Sequence, residues 1–168
     1  PWEAPTGGDN CEKCTEQFRV CDEYRCKSLG KSCEIVNEGY SNVACERSST
    51  YDPTAPIITP DEDYYNSKGL TINKVTNGFE ITTEIEPFEP VTIAVNTDKW
   101  SECKYDDVIN TEYSSMPDYL TEYPPFLKEH NTTFNLLDSG KIYEYYIRCE
   151  NNNGFSNSID YKVKFKIK

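Results

Sequence analysis

The sequence predicts a mainly β protein in which a small disulfide-rich helical module precedes a β-sandwich. Three observations support this prediction. Six of the eight cysteines fall between residues 11 and 45, and the composition changes near residue 50. Beyond that point, short runs rich in Thr, Ile, Val and Tyr are separated by turn residues. Seven short strands over about 110 residues are typical of a β-sandwich.

Residues 1–50 form the predicted cysteine-rich module. Asp9, followed three residues later by Glu12, is typical of a helix amino terminus, and Gly30 is typical of a carboxyl-terminal stop. The pattern therefore predicts a helix near residues 10–29. One face of it would carry Cys11, Cys14, Phe18, Cys21, Arg25 and Leu29. A unit of about 40 residues buries too little apolar surface to fold on that alone, so we expect cross-links to stabilise it.

The cysteines predict a disulfide framework and an extracellular location. They are Cys11, Cys14, Cys21, Cys26, Cys33, Cys45, Cys103 and Cys149. An even number at this density is typical of secreted chains, because a reducing cytosol keeps thiols free. Zinc is an alternative, but Cys11 and Cys14 supply only half of a four-ligand site, and the single histidine, His130, lies far along the chain. Free or redox-active thiols are a further alternative.

A proline-rich linker is predicted over residues 51–60, which contain Pro53, Pro56 and Pro60. Proline-rich segments are extended spacers. The predicted sandwich then occupies residues 61–168. Its strands are predicted at 70–75, 79–85, 91–97, 100–105, 132–137, 142–149 and 161–168. The last strand alternates apolar residues with Lys, and we expect its lysine face to be solvated.

The entry to the sixth predicted strand carries a specific resemblance. Leu137, Gly140, Tyr143 and Tyr145 follow a Leu-x-x-Gly-x-x-Tyr-x-aromatic pattern, which resembles fibronectin type III domains. In such domains the tyrosine forms a corner, and its hydroxyl reaches the backbone of the preceding loop. The resemblance implies an immunoglobulin-like sandwich and a structural role for Tyr143.

A wider pattern is similar to modules of large prokaryotic, notably archaeal, cell-surface proteins. It comprises residues 100–106, Met116, His130, residues 143–149 and residues 153–157. This resemblance implies a disulfide between Cys103 and Cys149. Closure within each unit then leaves three bridges among the six amino-terminal cysteines, and the sequence leaves their pairing open. The long insert at 107–129 departs from a minimal sandwich.

The charge of the chain excludes two classes of function. Lys and Arg number 17 against 29 Asp and Glu, so the net charge is −12. A sequence-independent nucleic-acid binder needs a clustered basic surface, and so does a protein that binds anionic membranes. The longest apolar stretches are far shorter than the roughly 20 residues that span a bilayer. We therefore expect no membrane insertion in this segment.

The sequence contains no recognisable catalytic motif. No P-loop, dinucleotide-binding glycine motif, EF-hand loop or Gly-x-Ser-x-Gly elbow occurs, and we expect His130 to be a packing residue. The chain is therefore predicted not to be an enzyme and to need no cofactor. A carboxylate-based hydrolase remains an alternative, which would need two acids about 5 to 10 Å apart, one of them with a raised pKa.

Two surface features suggest ligands or modification. Asp61-Glu62-Asp63 and Asp106-Asp107 cluster the oxygen ligands that calcium prefers, although such clusters are more often solvated acidic loops. Asn131-Thr132-Thr133 is an N-glycosylation sequon, so Asn131 is a predicted glycosylation site.

Aromatic residues in loops predict a partner-binding surface. The candidates are Tyr113, Tyr119, Tyr123 and Phe126 in the insert and Phe155 in the loop 151–157. Tyrosine gives large contact area at low entropic cost, and loops on a rigid scaffold commonly bind. The insert could instead pack on the sheet as a lid. We expect an extracellular cell-surface module for adhesion, protein–protein interaction or spacing, with a protein or glycan partner. A carbohydrate-binding accessory module of a secreted enzyme is the alternative.

Overall fold

The computed structural model describes residues 1–16, 18–47, 52–121, 126–135 and 137–168, and the prediction of a mainly β protein is confirmed. The described chain divides into two compact units. The first consists of residues up to 53 and also includes Phe126, and the second consists of residues 54–121 and those from 127 onward. Each unit has its own buried core. No helix in the described ranges has the length and apolar character that crossing a membrane requires.

The first unit is built around disulfides. A short helix, α1 (Glu23–Leu29), precedes a hairpin of β1 (Cys33–Val36) and β2 (Ala44–Arg47). The Asp22 carboxylate caps α1 by accepting a hydrogen bond from the Arg25 N–H at 2.7 Å. Three bridges join Cys11 to Cys33, Cys14 to Cys21 and Cys26 to Cys45. These six buried side chains form the core of the unit.

The prediction of a continuous helix near residues 10–29 is wrong. Within the described part of that stretch, only a 3₁₀ turn, Cys11–Cys14, and α1 are helical. The Cys14–Cys21 bridge holds its two Cα atoms 5.1 Å apart, whereas seven residues of α-helix would separate them by about 10 Å. The bridge therefore excludes the helix. Phe18, which was expected on the same helix face as three cysteines, is fully exposed.

The second unit contains one curled sheet, which has eight strands among the described residues. The strands are β3 (Ile58–Pro60), β4 (Ile72–Val75), β5 (Gly78–Ile81), β6 (Val91–Asp106), β7 (Asp118–Tyr119), β8 (Leu127–Phe134), β9 (Ile142–Asn151) and β10 (Tyr161–Lys166). A short helix, α2 (Glu62–Ser67), follows β3. The strand order is β3-β6-β9-β10-β5-β4, with β7 and β8 also paired to β6. The β5–β10 pair is parallel and the other pairs are antiparallel.

The long strand β6 connects the two halves of the sheet. The sequence predicted two strands there, 91–97 and 100–105, but a single strand runs from Val91 to Asp106. The register of its ladder shifts between Asn96 and Ser101, and such irregularities bend a strand. The first half of β6 pairs mainly with β3 and β8, and the second half pairs with β7 and β9.

The core of the second unit combines sheet side chains with one residue of α2. The largest fully buried apolar side chains are Tyr65, Phe79, Ile93, Val95, Ile147, Val163, Phe165 and Ile167. The Tyr65 hydroxyl accepts a hydrogen bond from the Ala94 N–H at 2.8 Å. Gly78 permits β5 to approach β10, because a Cβ at this position would lie 2.1 Å from the Lys162 carbonyl oxygen.

Part of the predicted linker at 51–60 is a strand. Strand β3 occupies its last three residues, and the Ile57 N–H donates to the Asp98 carboxylate at 2.7 Å. Among the described strands, β3 pairs only with β6. Proline is tolerated on such an edge strand because it lacks only an N–H that a second neighbour would need. Pro60 therefore belongs to an edge of the sheet.

Candidate functional site

The candidate site lies on strands β6 and β9, which run side by side in the second unit. Cys103 and Cys149 occupy directly opposite positions and are joined by a disulfide, which is the pairing that the resemblance to prokaryotic cell-surface modules implies. Side chains alternate along a strand, so the adjacent positions point to the other face. Glu102 and Glu150 lie opposite each other on that face.

Part of the insert after β6 packs on this face, whereas residues 118–119 and 127–129 of the insert belong to strands β7 and β8 of the sheet itself. Tyr113 is only 6% exposed, and its hydroxyl donates to Glu102 Oε1 at 2.8 Å. Leu120, in contrast, is buried in the apolar core together with Cys103 and Cys149. The Lys104 ammonium lies between two rings, 4.7 Å from the centre of Tyr113 and 4.9 Å from the centre of Tyr119. These cation–π contacts fix the insert over the sheet.

A buried ion pair holds three segments together beneath the site. Arg148 Nε, on β9, donates to Asp160 Oδ1, in the β9–β10 loop, at 2.7 Å, and both side chains are 8% exposed. The other carboxylate oxygen of Asp160 accepts a hydrogen bond from the Asn110 N–H of the insert at 2.7 Å. One carboxylate therefore connects β9, the loop and the insert.

A polar pocket of about 330 Å³ lies between the insert and the β9–β10 loop. Its lining residues are Glu112, Tyr113, Ser114, Arg148, Glu150, Ser156, Asn157 and Ser158. Asn157 holds the loop in place, because its side chain accepts from the Cys149 N–H at 2.8 Å and donates to the Pro56 carbonyl at 2.7 Å. The two segments that the sequence predicted to bind a partner thus meet at one pocket.

Two glutamates give the pocket its negative charge. Arg148 is neutralised by its ion pair, whereas the pocket lining shows no such partner among its residues for the side chains of Glu112 and Glu150. Burial raises the pKa of Glu150, and the nearby Glu102 raises it further. Burial and the hydrogen bond to Glu102 also raise the pKa of Tyr113. This environment favours a guest that brings a positive charge or hydrogen-bond donors, because a cation stabilises the ionised glutamates.

The predicted partner-binding aromatics are placed differently from one another. Tyr113 is buried, while Tyr119 keeps 39% of its surface exposed. Phe155 is half-buried in the β9–β10 loop, and its N–H donates to the Asn151 side-chain oxygen at the end of β9 at 3.0 Å. Phe126 is half-buried and belongs to the first unit. Tyr123 lies outside the described residues. A role of these residues in partner binding stays a prediction.

His130 is buried beside the irregular part of β6. Its Nε2 lies 3.2 Å from Thr97 Oγ1, 3.4 Å from Ser101 Oγ and 3.1 Å from the Leu127 carbonyl oxygen. Burial lowers the pKa of His130 to about 4. The ring therefore stays neutral at physiological pH and packs within a small polar cluster.

Asp61, Glu62 and Asp106 of the predicted calcium ligands have structural partners. Asp61 caps α2 through its carboxylate, and Glu62 pairs with Lys74. Asp106 accepts a backbone hydrogen bond within its own loop. Calcium binding stays a prediction. Among the described residues, one group of three metal-ligand side chains lies close together, and it consists of the disulfide-bonded Cys11, Cys33 and Cys45.

Sequence reasoning missed the charged residues of the site. Arg148 and Glu150 flank Cys149, and alternation outward from this buried cysteine would have placed them on the opposite face. Asp160 gave no such signal, because it reaches Arg148 from a loop. The juxtaposition of Glu102 with Glu150 depends on strand register, which a single strand pattern does not define.

Comparison of the sequence with models of known protein families finds no match, and comparison with curated protein sequences finds none either. The chemistry of the site is therefore the basis for a functional proposal.

Proposed function

We propose that the chain is an extracellular, non-catalytic binding module that makes adhesive protein–protein contacts at a cell surface. The partner inserts a cationic side chain into the pocket. The main support for this proposal is that the insert and the β9–β10 loop line one pocket, and that Glu112 and Glu150 are among its lining residues. Binding residues are commonly carried by loops that a rigid scaffold positions.

An extracellular location is supported by the disulfides. All eight cysteines are paired, and every bridge closes within its own unit. Such bridges persist in oxidising compartments. Asn131 of the sequon is exposed on β8, so an oligosaccharide could be attached without disturbing the core.

Contacts between the two halves of the curled sheet support a sandwich of the fibronectin type III kind. Phe134 of β8 stacks on Tyr145 of β9, with ring centres 4.3 Å apart, and Tyr105 packs edge-on against both rings. The Tyr143 hydroxyl accepts a hydrogen bond from the Asp138 N–H at 2.9 Å. This is the tyrosine-corner contact that the resemblance implies.

The charge of the pocket selects the class of ligand. A Lys or Arg side chain would contact Glu112 and Glu150, while Ser114, Ser156 and Ser158 supply hydroxyl groups to complete its hydrogen bonds. A guanidinium fits carboxylates with paired hydrogen bonds. The net charge of −12 would also attract a basic partner and speed its association.

The pocket can be tested with single side-chain analogues. N-acetylarginine amide and N-acetyllysine amide are titrated into the ¹⁵N-labelled full chain, with N-acetylcitrulline amide as the neutral isostere of arginine. We expect the two cationic probes to shift the amide signals of Ser114, Ser156 and Ser158 and the citrulline probe to leave them unchanged. Glu150→Gln is expected to weaken arginine binding by about fivefold or more.

The matched control is Glu129→Gln, which removes a carboxylate from an exposed position on β8 outside the pocket. It should bind the arginine probe as the parent does. Equal binding of citrulline, or equal loss in both variants, would contradict the proposed cation site. Binding of N-acetylglucosamine or galactose in place of arginine would instead favour a carbohydrate-binding accessory module.

The proposed extracellular location is tested separately. The intact mass of protein secreted from a eukaryotic cell is measured with and without reduction and alkylation. We expect all eight thiols to be blocked until reduction, and peptide mapping to find Cys103 joined to Cys149. Several free amino-terminal thiols would overturn the extracellular assignment.

A carboxylate-based hydrolase is the second candidate, favoured by one observation. Glu102 faces Glu150 across β6 and β9, where Cβ atoms are about 5 Å apart. Burial and the nearby Glu102 raise the pKa of Glu150, which is the direction that a general acid requires. Turnover of p-nitrophenyl glycosides that is lost in Glu150→Gln would support this candidate. Absence of turnover across a panel of such glycosides would reject it as a glycosidase.

A further inference from the structure

The core of the first unit brings together four cysteine side chains from four different segments. Cys11 lies in the 3₁₀ turn, Cys26 in α1, Cys33 in β1 and Cys45 in β2. Each of the four is at most 4% exposed. Cys33 and Cys45 lie on the same face of the hairpin, because Cys45 is paired with Ile35, which is two residues beyond Cys33. The hairpin therefore brings one cysteine from each of its strands to the same place.

The sulfur atoms of two bridges form one cluster. The Sγ atoms of Cys11, Cys33 and Cys45 all lie within 4.8 Å of one another. The Sγ atom of Cys26 is bonded to that of Cys45. A tetrahedral zinc ion binds four thiolates at about 2.3 Å, so that their sulfur atoms are about 3.8 Å apart. Opening the Cys11–Cys33 and Cys26–Cys45 bridges would therefore leave four sulfur atoms close enough for one zinc ion to bind them all.

We propose that the reduced chain binds one zinc ion through Cys11, Cys26, Cys33 and Cys45. Each of the two bridges is reduced by one molecule of a dithiol. The dithiol passes two electrons and two protons to the pair of sulfur atoms and becomes a disulfide itself. Zinc then replaces the four thiol protons, which are released to water.

Zinc would replace two cross-links that the unit needs in order to fold. Among the described residues, the apolar side chains packed against the buried cysteines are Leu29, Ile35 and Val43, and all three are only partly buried. Small domains with so little apolar core are commonly stabilised by disulfides or by a structural metal. The two bridges join the 3₁₀ turn to β1 and α1 to β2, and one ion would join all four segments. The unit could then stay folded in a reducing compartment, where thiols are free.

The third bridge of the unit provides an internal control. Cys14 and Cys21 are as buried as the other cysteines of the unit. They lie outside the cluster that Cys11, Cys33 and Cys45 form among the described residues. Zinc should therefore distinguish this pair of thiols from the proposed ligands. The inference goes beyond the proposed cation pocket and does not depend on it, because the pocket belongs to the second unit.

The first test identifies the thiols that zinc protects in the parent chain. The full chain is reduced with a phosphine in denaturant and refolded without oxygen, with or without one equivalent of zinc. A phosphine takes the place of the dithiol, because a dithiol would itself bind zinc. The chain is then treated with N-ethylmaleimide, and its peptides are analysed by mass spectrometry. With zinc we expect Cys11, Cys26, Cys33 and Cys45 to be protected and the other four cysteines to be alkylated. Without zinc we expect all eight to react.

The second test measures affinity and coordination geometry. Cobalt(II) is the spectroscopic probe, because tetrahedral coordination by thiolates gives it strong visible absorption, which is lost when zinc displaces it. We expect one cobalt ion per chain and a zinc dissociation constant of about 0.1 µM or lower. Cys26→Ser combined with Cys45→Ser should weaken zinc binding at least about a hundredfold, because two of the four ligands are lost. The matched control, Cys14→Ser combined with Cys21→Ser, also removes one pair of thiols and should bind zinc as the parent does.

Three results would overturn the proposal. One is a reduced chain that binds no zinc. Another is a protection pattern in which Cys14 or Cys21 replaces one of the four proposed ligands. The third is an equal loss of affinity in the two double variants, because this would show that zinc binds to thiols of the unfolded chain without a defined site.

Discussion

Arg148 and Asp160 form a buried ion pair with 2.7 Å between Arg148 Nε and Asp160 Oδ1, and this pair connects the strand, loop and insert that surround the candidate pocket. Asp160 also accepts the Asn110 N–H. Removing two charges from water costs several kcal/mol per ion, which their attraction and hydrogen bonds must offset. The pair therefore contributes less to net stability than to the geometry of the loops that it holds.

Loss of one partner of this pair is expected to be strongly destabilising. Asp160→Ala would remove the ion-pair partner of the buried Arg148 guanidinium and the acceptor of the Asn110 N–H. We expect the free energy of unfolding to fall by about 3–5 kcal/mol, measured by urea denaturation.

The control for this prediction removes both charges. Arg148→Met combined with Asp160→Leu leaves no buried ion, so it should recover most of the loss seen in Asp160→Ala. If Asp160→Ala were as stable as the parent, water would have to reach Arg148, and the ion pair would not be buried.

Stability is expected to fall in mild acid because of His130. Burial lowers the pKa of this imidazole to about 4, whereas the unfolded chain has the ordinary value of about 6.5. Between these values the unfolded state binds a proton that the folded state does not, so stability is complete above pH 6.5 and decreases as the pH falls towards 4. The loss amounts to about 3 kcal/mol at the acidic end.

The measurement compares urea unfolding of the parent and of His130→Gln between pH 7 and pH 4. Glutamine cannot take up the proton, and its amide can still hydrogen-bond with Thr97 and the Leu127 carbonyl. The difference in pH dependence between the two proteins isolates His130 from the many carboxylates that also titrate. Parallel pH profiles would mean that the folded protein already accommodates the charged ring.

The alternation of apolar and polar residues along the chain was enough to predict some strands and not others. The runs that became β9 and β10 have a clear period of two, and both strands form close to the predicted positions. Strand β6 was predicted as two strands, 91–97 and 100–105. The structure instead continues the strand there with a shift of register, a feature that depends on pairing with β8.

In the first unit, the sequence pattern predicted a helix that does not form. The spacing of Cys14, Phe18 and Cys21 predicted that they share one face of a helix. The bond between Cys14 and Cys21 excludes a continuous helix between them, so the spacing does not describe a helix face. Disulfide connectivity is a tertiary property, and it overrides local helix preference. The charged pocket could not be predicted for a related reason: its residues come from β9, the insert and a loop that only the fold brings together.

The disulfide between β6 and β9 is expected to contribute substantially to the stability of the second unit. It joins Cys103 to Cys149 across 46 residues of chain, and cross-links over long loops restrict the unfolded state most. Cys149→Ser combined with Cys103→Ser should lower the free energy of unfolding by roughly 2–5 kcal/mol. The readout is urea denaturation, with intact mass showing that the other three bridges are formed. An unchanged midpoint would indicate that the bridge is dispensable.

The carboxyl-terminal lysines form a stripe of ion pairs. Lys162 pairs with Glu144, Lys164 with Glu80, Lys166 with Glu84 and Lys168 with Glu86. Strand β10 lies between β9 and β5 and is therefore not an edge strand. The lysine face is solvated, as expected, but each amine also contacts a carboxylate from a neighbouring segment. These partners favour one register of β10, because a slip of one residue would reverse its two faces.

The two faces of β10 are expected to respond very differently to substitution. Lys164 is about one-third exposed and pairs with Glu80 at 3.2 Å, so Lys164→Gln should cost less than about 1 kcal/mol, and the difference should shrink in 1 M NaCl as salt screens the pair. The neighbouring Phe165 is 1% exposed and stacks on Tyr143, so Phe165→Ala should cost about 3–5 kcal/mol in any salt. Urea unfolding of both variants at low and high salt measures the contrast. Equal losses, or a salt-dependent loss at Phe165, would contradict the assignment of the lysine face to solvent and the aromatic face to the core.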